Sequence, residues 1–328
     1  MSGFPQIFPG YPRPGSDALH RTAVRCVAVF AASSAMAVLG FAGAASADTA
    51  PHESGSATAG PPHGPEVLDI AHRGASGYAP ENTLAAIEVA AELGASTVET
   101  DVQRTADGVL VFMHDANLTR TTDVEEVYPD RDSYAVGDFT MEEISRLDAG
   151  SWFGEEFEGE PVPTLQEGLD LMKKLKLGFL LEIKASSNHP GIEEDIAEVL
   201  HDNPWFLSPG SLPGKPGYDR LAIQDFNWEV VEKSRALYPD HVPHGLLGRV
   251  PVDQLEDYSW ADQVNPNHNQ IDEAYVRAVH DAGMEVHTYT VNTPEDMQRA
   301  IDRGVDGVIT DYVDVLLEVL DGSASAAA

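Results

Sequence analysis

The chain has 328 residues, 54 acidic against 20 basic, for a net charge of −34 at pH 7, and 42% of its residues are hydrophobic. That length suits one large α/β barrel or two ordinary domains. The negative excess speaks against nucleic acid and anionic membrane surfaces as partners, and a single cysteine, Cys26, excludes a disulfide framework.

The first 47 residues stand apart from the fold. Arg13, Arg21 and Arg25 precede an uncharged apolar run over 26–43 that ends in Ala45-Ser46-Ala47, the pattern of a secretory signal sequence cut near Ala47. A retained membrane anchor is the alternative, since the run is nearly long enough to span a bilayer. The small triplet favours cleavage, which predicts a secreted protein with no stable membrane association. The remaining chain carries 17 basic and 53 acidic residues, a net charge of −36. Such an excess fits adaptation to high salt, where screening removes self-repulsion, or the plain solubility of an acidic secreted protein. Cys26 leaves with the signal, so the exported domain needs a core large enough to stand without disulfides.

Residues 48–65 are rich in Pro, Gly, Ala, Ser and Thr without periodicity and read as a disordered linker. The folded domain is expected over 66–321, with a disordered Ala/Ser tail over 322–328. The run 67–71 predicts a buried strand. The pattern over 82–93 predicts a helix capped by Asn82, with Leu84, Ile87, Ala91 and Leu93 on its apolar face and Gly94 as its stop. A second strand is expected over 96–102, and a further one over 109–113, reached through the turn Asp107-Gly108. The stretch 115–163 is polar and irregular, with one short helix expected over 141–147. It is too long for a connecting turn and reads as a functional insertion packed over one end.

The alternation then continues to the end of the domain. Helices are expected over 165–177, 192–201, 229–237, 252–257, 272–282, 294–303 and 312–320, and strands over 178–183, 221–223, 244–247, 263–265, 285–291 and 307–309. With 109–113 set aside as an excursion, eight strands are each followed by a helix. That order predicts a parallel sheet with right-handed crossovers, closed into a (β/α)8 TIM barrel with a small insertion after the second strand. A doubly wound open sheet would bring a Gly-rich phosphate turn after the first strand, and His72-Arg73-Gly74 has different chemistry.

In such a barrel the active site lies at the C-terminal strand ends. Those ends carry His72 and Arg73, Glu99 and Asp101, His114, Glu182 and Lys184, Gln224 and Phe226, Asn265 and Asn267, Tyr289 and Asn292, and Asp311. Glu99 and Asp101 are two apart on a strand and point to one side, as do Glu182 and Lys184. If that side is the barrel interior, three carboxylates meet at its mouth, where they would repel one another without a cation. With only oxygen donors the expected ion is hard, Ca²⁺, Mg²⁺ or Mn²⁺, and secretion favours Ca²⁺. The alternative is a metal-free network in which Arg73 and Lys184 balance the acids. His72 and His114 at neighbouring strand ends beside clustered acids suit general acid–base work. His287, in the strand phase of Tyr289, and His268 read as structural histidines.

The motifs His72-Arg73-Gly74, Pro80-Glu81-Asn82-Thr83, Glu99-Thr100-Asp101-Val102, His114-Asp115, Leu118-Thr119-Arg120-Thr121-Thr122, Glu182-Ile183-Lys184 and Tyr289-Thr290-Val291-Asn292 resemble, in order and spacing, the signature of the glycerophosphodiester phosphodiesterase family. The resemblance runs over 70–320. It implies an α/β barrel with an insertion after the second strand, Glu99, Asp101 and Glu182 as ligands of one divalent cation, and His72 and His114 as catalytic. It further implies that Arg73 and Lys184 bind phosphate, and that the substrate is a small glycerophosphodiester.

Two departures fall in the substrate pocket. The family's usual Trp is Tyr289 here, and its usual Gln-Ser-Phe-Asp is Gln224-Asp225-Phe226-Asn227, which keeps Gln224 and Phe226 in phase. The chemistry implied is metal-assisted phosphodiester cleavage, with internal attack by a glycerol hydroxyl giving a cyclic phosphate that water opens. Alternatives on the same barrel are a phospholipase C or D acting on intact lipid and an enzyme cutting glycerol-phosphate polymers. A calcium-binding surface protein without turnover and a glycosidase are rivals of other classes, and paired histidines with Arg and Lys suit phosphate better than either.

Overall fold

The computed structural model describes residues 67–215 and 217–327. The signal sequence expected at 1–47 and the linker at 48–65 lie outside the described residues. Nine strands form one sheet: β1 (Leu68–His72), β2 (Thr97–Arg104), β3 (Leu110–Phe112), β4 (Gly178–Ile183), β5 (Leu221–Asp225), β6 (His244–Leu247), β7 (Gln263–Asn265), β8 (Glu285–Thr288) and β9 (Gly307–Thr310). Only β3 runs antiparallel, hanging on the end of β2; the other eight are parallel, and β1 pairs with both β2 and β9 to close the ring. The protein is a (β/α)8 TIM barrel with one added strand.

Both faces of each barrel strand are covered, which is why their sequences read as near-continuous apolar runs. Ile70, Leu180 and Ile309 pack together in one cluster with Leu68, Leu212 and Tyr218. Residues of the opposite phase, such as Ala71, Val98 and Leu181, pack against the helices. The first of these helices, α1 (Leu84–Glu92), is capped by Thr83, whose Oγ1 accepts from the Ala86 amide at 3.1 Å. Asn82, expected as the cap, instead takes a left-handed conformation with φ 59° and turns its amide toward β2. Asparagine tolerates that region better than most residues, which freed its side chain for another partner.

Among the described residues no helix is long and apolar enough to cross a membrane. Other boundaries moved where tertiary contacts overrode local pattern. The segment expected as helix over 252–257 is a 3-10 helix, Val252–Tyr258. β8 stops at Thr288, and Tyr289 makes an isolated bridge to Asn267 instead of extending the strand. The last helix, Val313–Ala327, continues through most of the 322–328 tail expected to be disordered; Ala propagates helix well.

The insertion has a core of its own. Around β3 and two short helices, α2 (Val124–Val127) and α3 (Met141–Ile144), it buries Leu118, Val136, Phe139, Leu147 and Val162. Asp148 ties its return: its carboxylate accepts from the Gly150, Ser151 and Gly159 amides and the Ser151 hydroxyl. Burial works against that charge, yet the four bonds hold its pKa at about 2. α4 (Leu165–Leu175) then resumes the barrel behind a capping box of Thr164 and Glu167.

His244 at the head of β6 is 1% exposed, and burial pushes its pKa down to about 4. A neutral folded imidazole stabilises fully above the unfolded value near 6.5, and this contribution is lost as pH falls through about 4. Thermal melts of His244→Gln are therefore expected to show a shallower loss of stability between pH 6.5 and 4 than the wild type. The difference should reach about 3 kcal/mol at the acid end, and parallel curves would refute it.

Candidate active site

Strand register sets the site. His72 pairs with Glu99 across β1 and β2, Asp101 with Glu182 across β2 and β4, and Glu182 with Gln224 across β4 and β5. Adjacent strands thereby deliver Glu99, Asp101 and Glu182 to one spot, where each offers an oxygen within 4.8 Å of the others. They are nearly inaccessible, at 1%, 1% and 7% exposed.

Burial raises the Glu99 pKa well above the usual range, and the charges of Asp101 and Glu182 add to it. Burial likewise lifts Glu182 to about 8, with Asp101 adding. Asp101 goes the other way: burial opposes its charge, but Arg73, Lys184 and His114 keep it ionised, with a hydrogen bond from Asn82. Asn82 grips Asp101 twice, donating from Nδ2 to Oδ2 at 2.7 Å and accepting the Asp101 amide at Oδ1 at 3.1 Å.

The donor set fits a divalent cation. It is made of oxygen alone, and Asp101 Oδ1, buried and 3.2 Å from Lys184 Nζ, accepts no well-aligned hydrogen bond. Three acids face two bases, of which Arg73 also serves Glu81, so negative charge remains where water hardly reaches.

The bases flank the acids. Arg73, left-handed at φ 54°, donates its amide to Glu99 at 2.9 Å and Nη1 to Glu81 at 2.8 Å, with Nε 3.4 Å from Asp101. The next residue must also be left-handed, at φ 82°, and a Cβ there would lie 2.6 Å from Ala86 Cβ, so His72-Arg73 requires Gly74. Lys184 reaches Glu182 and Asp101 from the far side. Burial opposes the charges of Arg73 and Lys184, but the surrounding carboxylates raise both pKa values above their ordinary ranges.

Each histidine has a carboxylate behind it. His72 Nδ1 lies 2.6 Å from Asp311 Oδ1, and Asp311 is itself fixed by Ser76 Oγ and Asn292 Nδ2. Burial opposes the Asp311 charge, but His72, Ser76 and Asn292 hold it ionised. His114 Nδ1 lies 2.8 Å from Asp115 Oδ1, and Asp115 accepts from Arg120 Nε at 2.6 Å. Arg120 also forks onto Glu81, the partner of Arg73, so one chain of hydrogen bonds and ion pairs runs from His114 to the triad. In both histidines Nε2 is left to face other chemistry. Burial lowers the His114 pKa, with Asp101 resisting.

The structure thus brings His72, Arg73, Glu99, Asp101, His114, Glu182 and Lys184 together. Gln224 is 1% exposed, and its Oε1 accepts from Asn265. Phe226 is 54% exposed at the rim, packed edge-on against Tyr289, with Lys184 Nζ 5.8 Å from its ring centre. The sequence pattern gave no role in the site to Glu81, Asn82, Asp115, Arg120, Asn292 or Asp311. Glu81 and Asn82 stood in the Pro-Glu-Asn-Thr motif, Asp115 directly follows His114, and Asn292 and Asp311 stood among the strand ends. Those were the available signals.

A barrel whose C-terminal mouth holds paired histidines, two cationic side chains and a buried oxygen triad has the groups of a phosphoric ester hydrolase. A family model described as "Glycerophosphoryl diester phosphodiesterase family" matches residues 72–315. A glycerophosphodiester phosphodiesterase of Bacillus subtilis is 35% identical over 270 residues, covering 78% of this chain and 87% of the relative. One from Caldanaerobacter subterraneus subsp. tengcongensis is 36% identical over 259 residues, covering 78% and 98%. Among solved structures, a phosphodiesterase of Oleispira antarctica in complex with the product sn-glycerol-3-phosphate is 30% identical, with a TM-score of 0.65 over 77% of this chain and 96% of that one. The chain belongs to the glycerophosphodiester phosphodiesterase family.

Proposed function

We propose that this enzyme hydrolyses small glycerophosphodiesters to glycerol 3-phosphate and an alcohol, with one divalent cation held by Glu99, Asp101 and Glu182. The observation that carries the reading is the meeting of that triad with His72 and His114, each backed by its own carboxylate. The product named in the Oleispira antarctica structure supports the glycerol phosphate half. The bound cation would supply Lewis-acid charge for the phosphate and the neighbouring glycerol hydroxyl.

The protein's own groups do the rest. Arg73 and Lys184 hold phosphate charge, and Arg73 offers a forked contact. His114, held toward its neutral form by burial, takes the proton of the attacking glycerol hydroxyl at Nε2. His72, oriented at Nδ1 by ionised Asp311, protonates the departing alcohol oxygen. The hydroxyl oxygen forms a P–O bond as the alcohol's P–O bond breaks, leaving a cyclic phosphate. Water then adds to phosphorus with the histidine roles reversed, the ring bond opens, and glycerol 3-phosphate is released.

Alcohol release from a panel of glycerophosphodiesters, with Ca²⁺, Mg²⁺ and Mn²⁺ supplied singly, tests the reading. Glycerol 3-phosphate with the free alcohol is the expected product pair. Turnover confined to intact phospholipid or to glycerol-phosphate polymer would replace the substrate assignment.

A further inference from the structure

A cavity of about 230 Å³ opens not at the triad but at the opposite end of the barrel, among the first residues of β1, β4, β5, β7 and β8. Its walls include the apolar side chains of Ile70, Leu180 and Leu221. Its polar lining sets three carboxylates beside Thr97, Gln263 and His287. Gln263 is 3% exposed, lines the cavity, and its Oε1 has no hydrogen-bond partner. His287 is 2% exposed, and neither ring nitrogen makes a hydrogen bond, although Nε2 lies 3.3 Å from Glu285 Oε2. Gly307 makes room for that ring, since a Cβ there would meet it at 2.8 Å.

Asp219, Asp262 and Glu285 also line the cavity. They lie close enough to act on one another: burial raises the Asp219 pKa, and after a counter-effect of His241 the charges of Glu285 and Asp262 raise it further. No Lys or Arg is among the described residues that line the space. Of the nearby bases, Arg235 acts on Asp262 and Lys215 is paired with Asp69, while Glu285 Oε2 meets Gln263 Nε2 at 3.4 Å and His287 Nε2 at 3.3 Å. A buried amide oxygen without a donor costs about 1–3 kcal/mol unless something supplies one.

The ligand must therefore bring N–H donors, positive charge and an apolar body. A bare metal ion fits poorly, because among the described residues only Glu99, Asp101 and Glu182 gather three such groups within 4.8 Å. We propose that this cavity binds a small primary organic ammonium ion, its N–H groups meeting Gln263 Oε1 and the Glu285 carboxylate, its hydrocarbon part resting on Ile70 and Leu180. The site lies across the barrel from the reaction centre and is separate from the subsite of the leaving alcohol.

Calorimetric titration of the full chain with n-butylammonium, in NaCl high enough to screen diffuse attraction to the acidic surface, tests the proposal. One saturable site per chain is expected, with n-butanol giving no binding. Gln263→Leu and Glu285→Gln should each weaken it about tenfold or more, the loss of one charge-assisted bond. Asp101→Asn, which alters the triad, should leave it unchanged, and turnover of Gln263→Leu should match the wild type. Absence of saturable binding, equal binding by Gln263→Leu and Glu285→Gln, or loss confined to Asp101→Asn would overturn the proposal. Because the Glu285 side chain is 41% exposed, against 3% for Gln263, that variant reports even if Gln263→Leu folds poorly.

Discussion

Replacing either His72 or His114 by Ala is expected to lower kcat on glycerophosphocholine by about 10²–10⁴-fold while leaving KM and thermal stability near wild type. Neither ring carries core packing: both sit at the mouth with partly exposed side chains, 18% and 28%. In the proposed scheme their contribution is to move protons at opposite ends of one displacement. Because the two act as a unit, the double variant should lose little beyond the worse single one. Near-wild-type turnover by either single variant, or strictly multiplicative losses, would remove the two-histidine scheme. The carboxylates behind the rings sharpen the test, since Asp311→Asn should depress kcat with no loss of substrate affinity by disturbing the His72 tautomer.

Chelation is expected to abolish turnover, and restoration by single ions should rank Ca²⁺, Mg²⁺ and Mn²⁺. In Asp101→Asn no ion should restore it. Loss of a group merely supporting a ligand costs about 10–100-fold, so loss of the central carboxylate should exceed that. Asp101 is the pivot because it alone is kept ionised, gripped by Asn82 and faced by Arg73 and Lys184. Glu182→Gln is expected to lose activity as well, yet to melt no lower than the wild type without metal, because burial disfavours that charge. Chelator-insensitive turnover would refute the metal, and a strongly destabilised Glu182→Gln would refute the account of the triad's repulsion.

Much of this was legible in the chain because barrels write their chemistry at regular places. Strand period put Glu99 with Asp101 and Glu182 with Lys184 on common sides, and the strand ends named His72 and His114. What pattern could not supply was the pairing of distant side chains. Asn82 looked like a helix cap, since Asn favours that position, but its neighbour Thr83 took the role and Asn82 went to Asp101. Arg120 lies in a polar stretch of the insertion, and only the folded loop shows that it joins Asp115 to Glu81. The last segment, poor in charge and rich in Ala and Ser, read as a tail by composition, yet its helix propensity carries backbone helix through Ala327. The cavity at the barrel's other end had no motif at all, since it arises from side chains of several strands pointing inward at one level.

The contact between His72 and Asp311 joins positions 239 residues apart, and it forms at the seam where β9 docks on β1. This dates the enzyme's activation within its own synthesis. A growing chain contains both histidines and all three acids before residue 311 has been made, but His72 then lacks the carboxylate that meets its Nδ1. In the proposed scheme competence for cleavage arrives with the final strand, so unfinished or C-terminally clipped chains should be defective in proton transfer even where their acidic triad is intact.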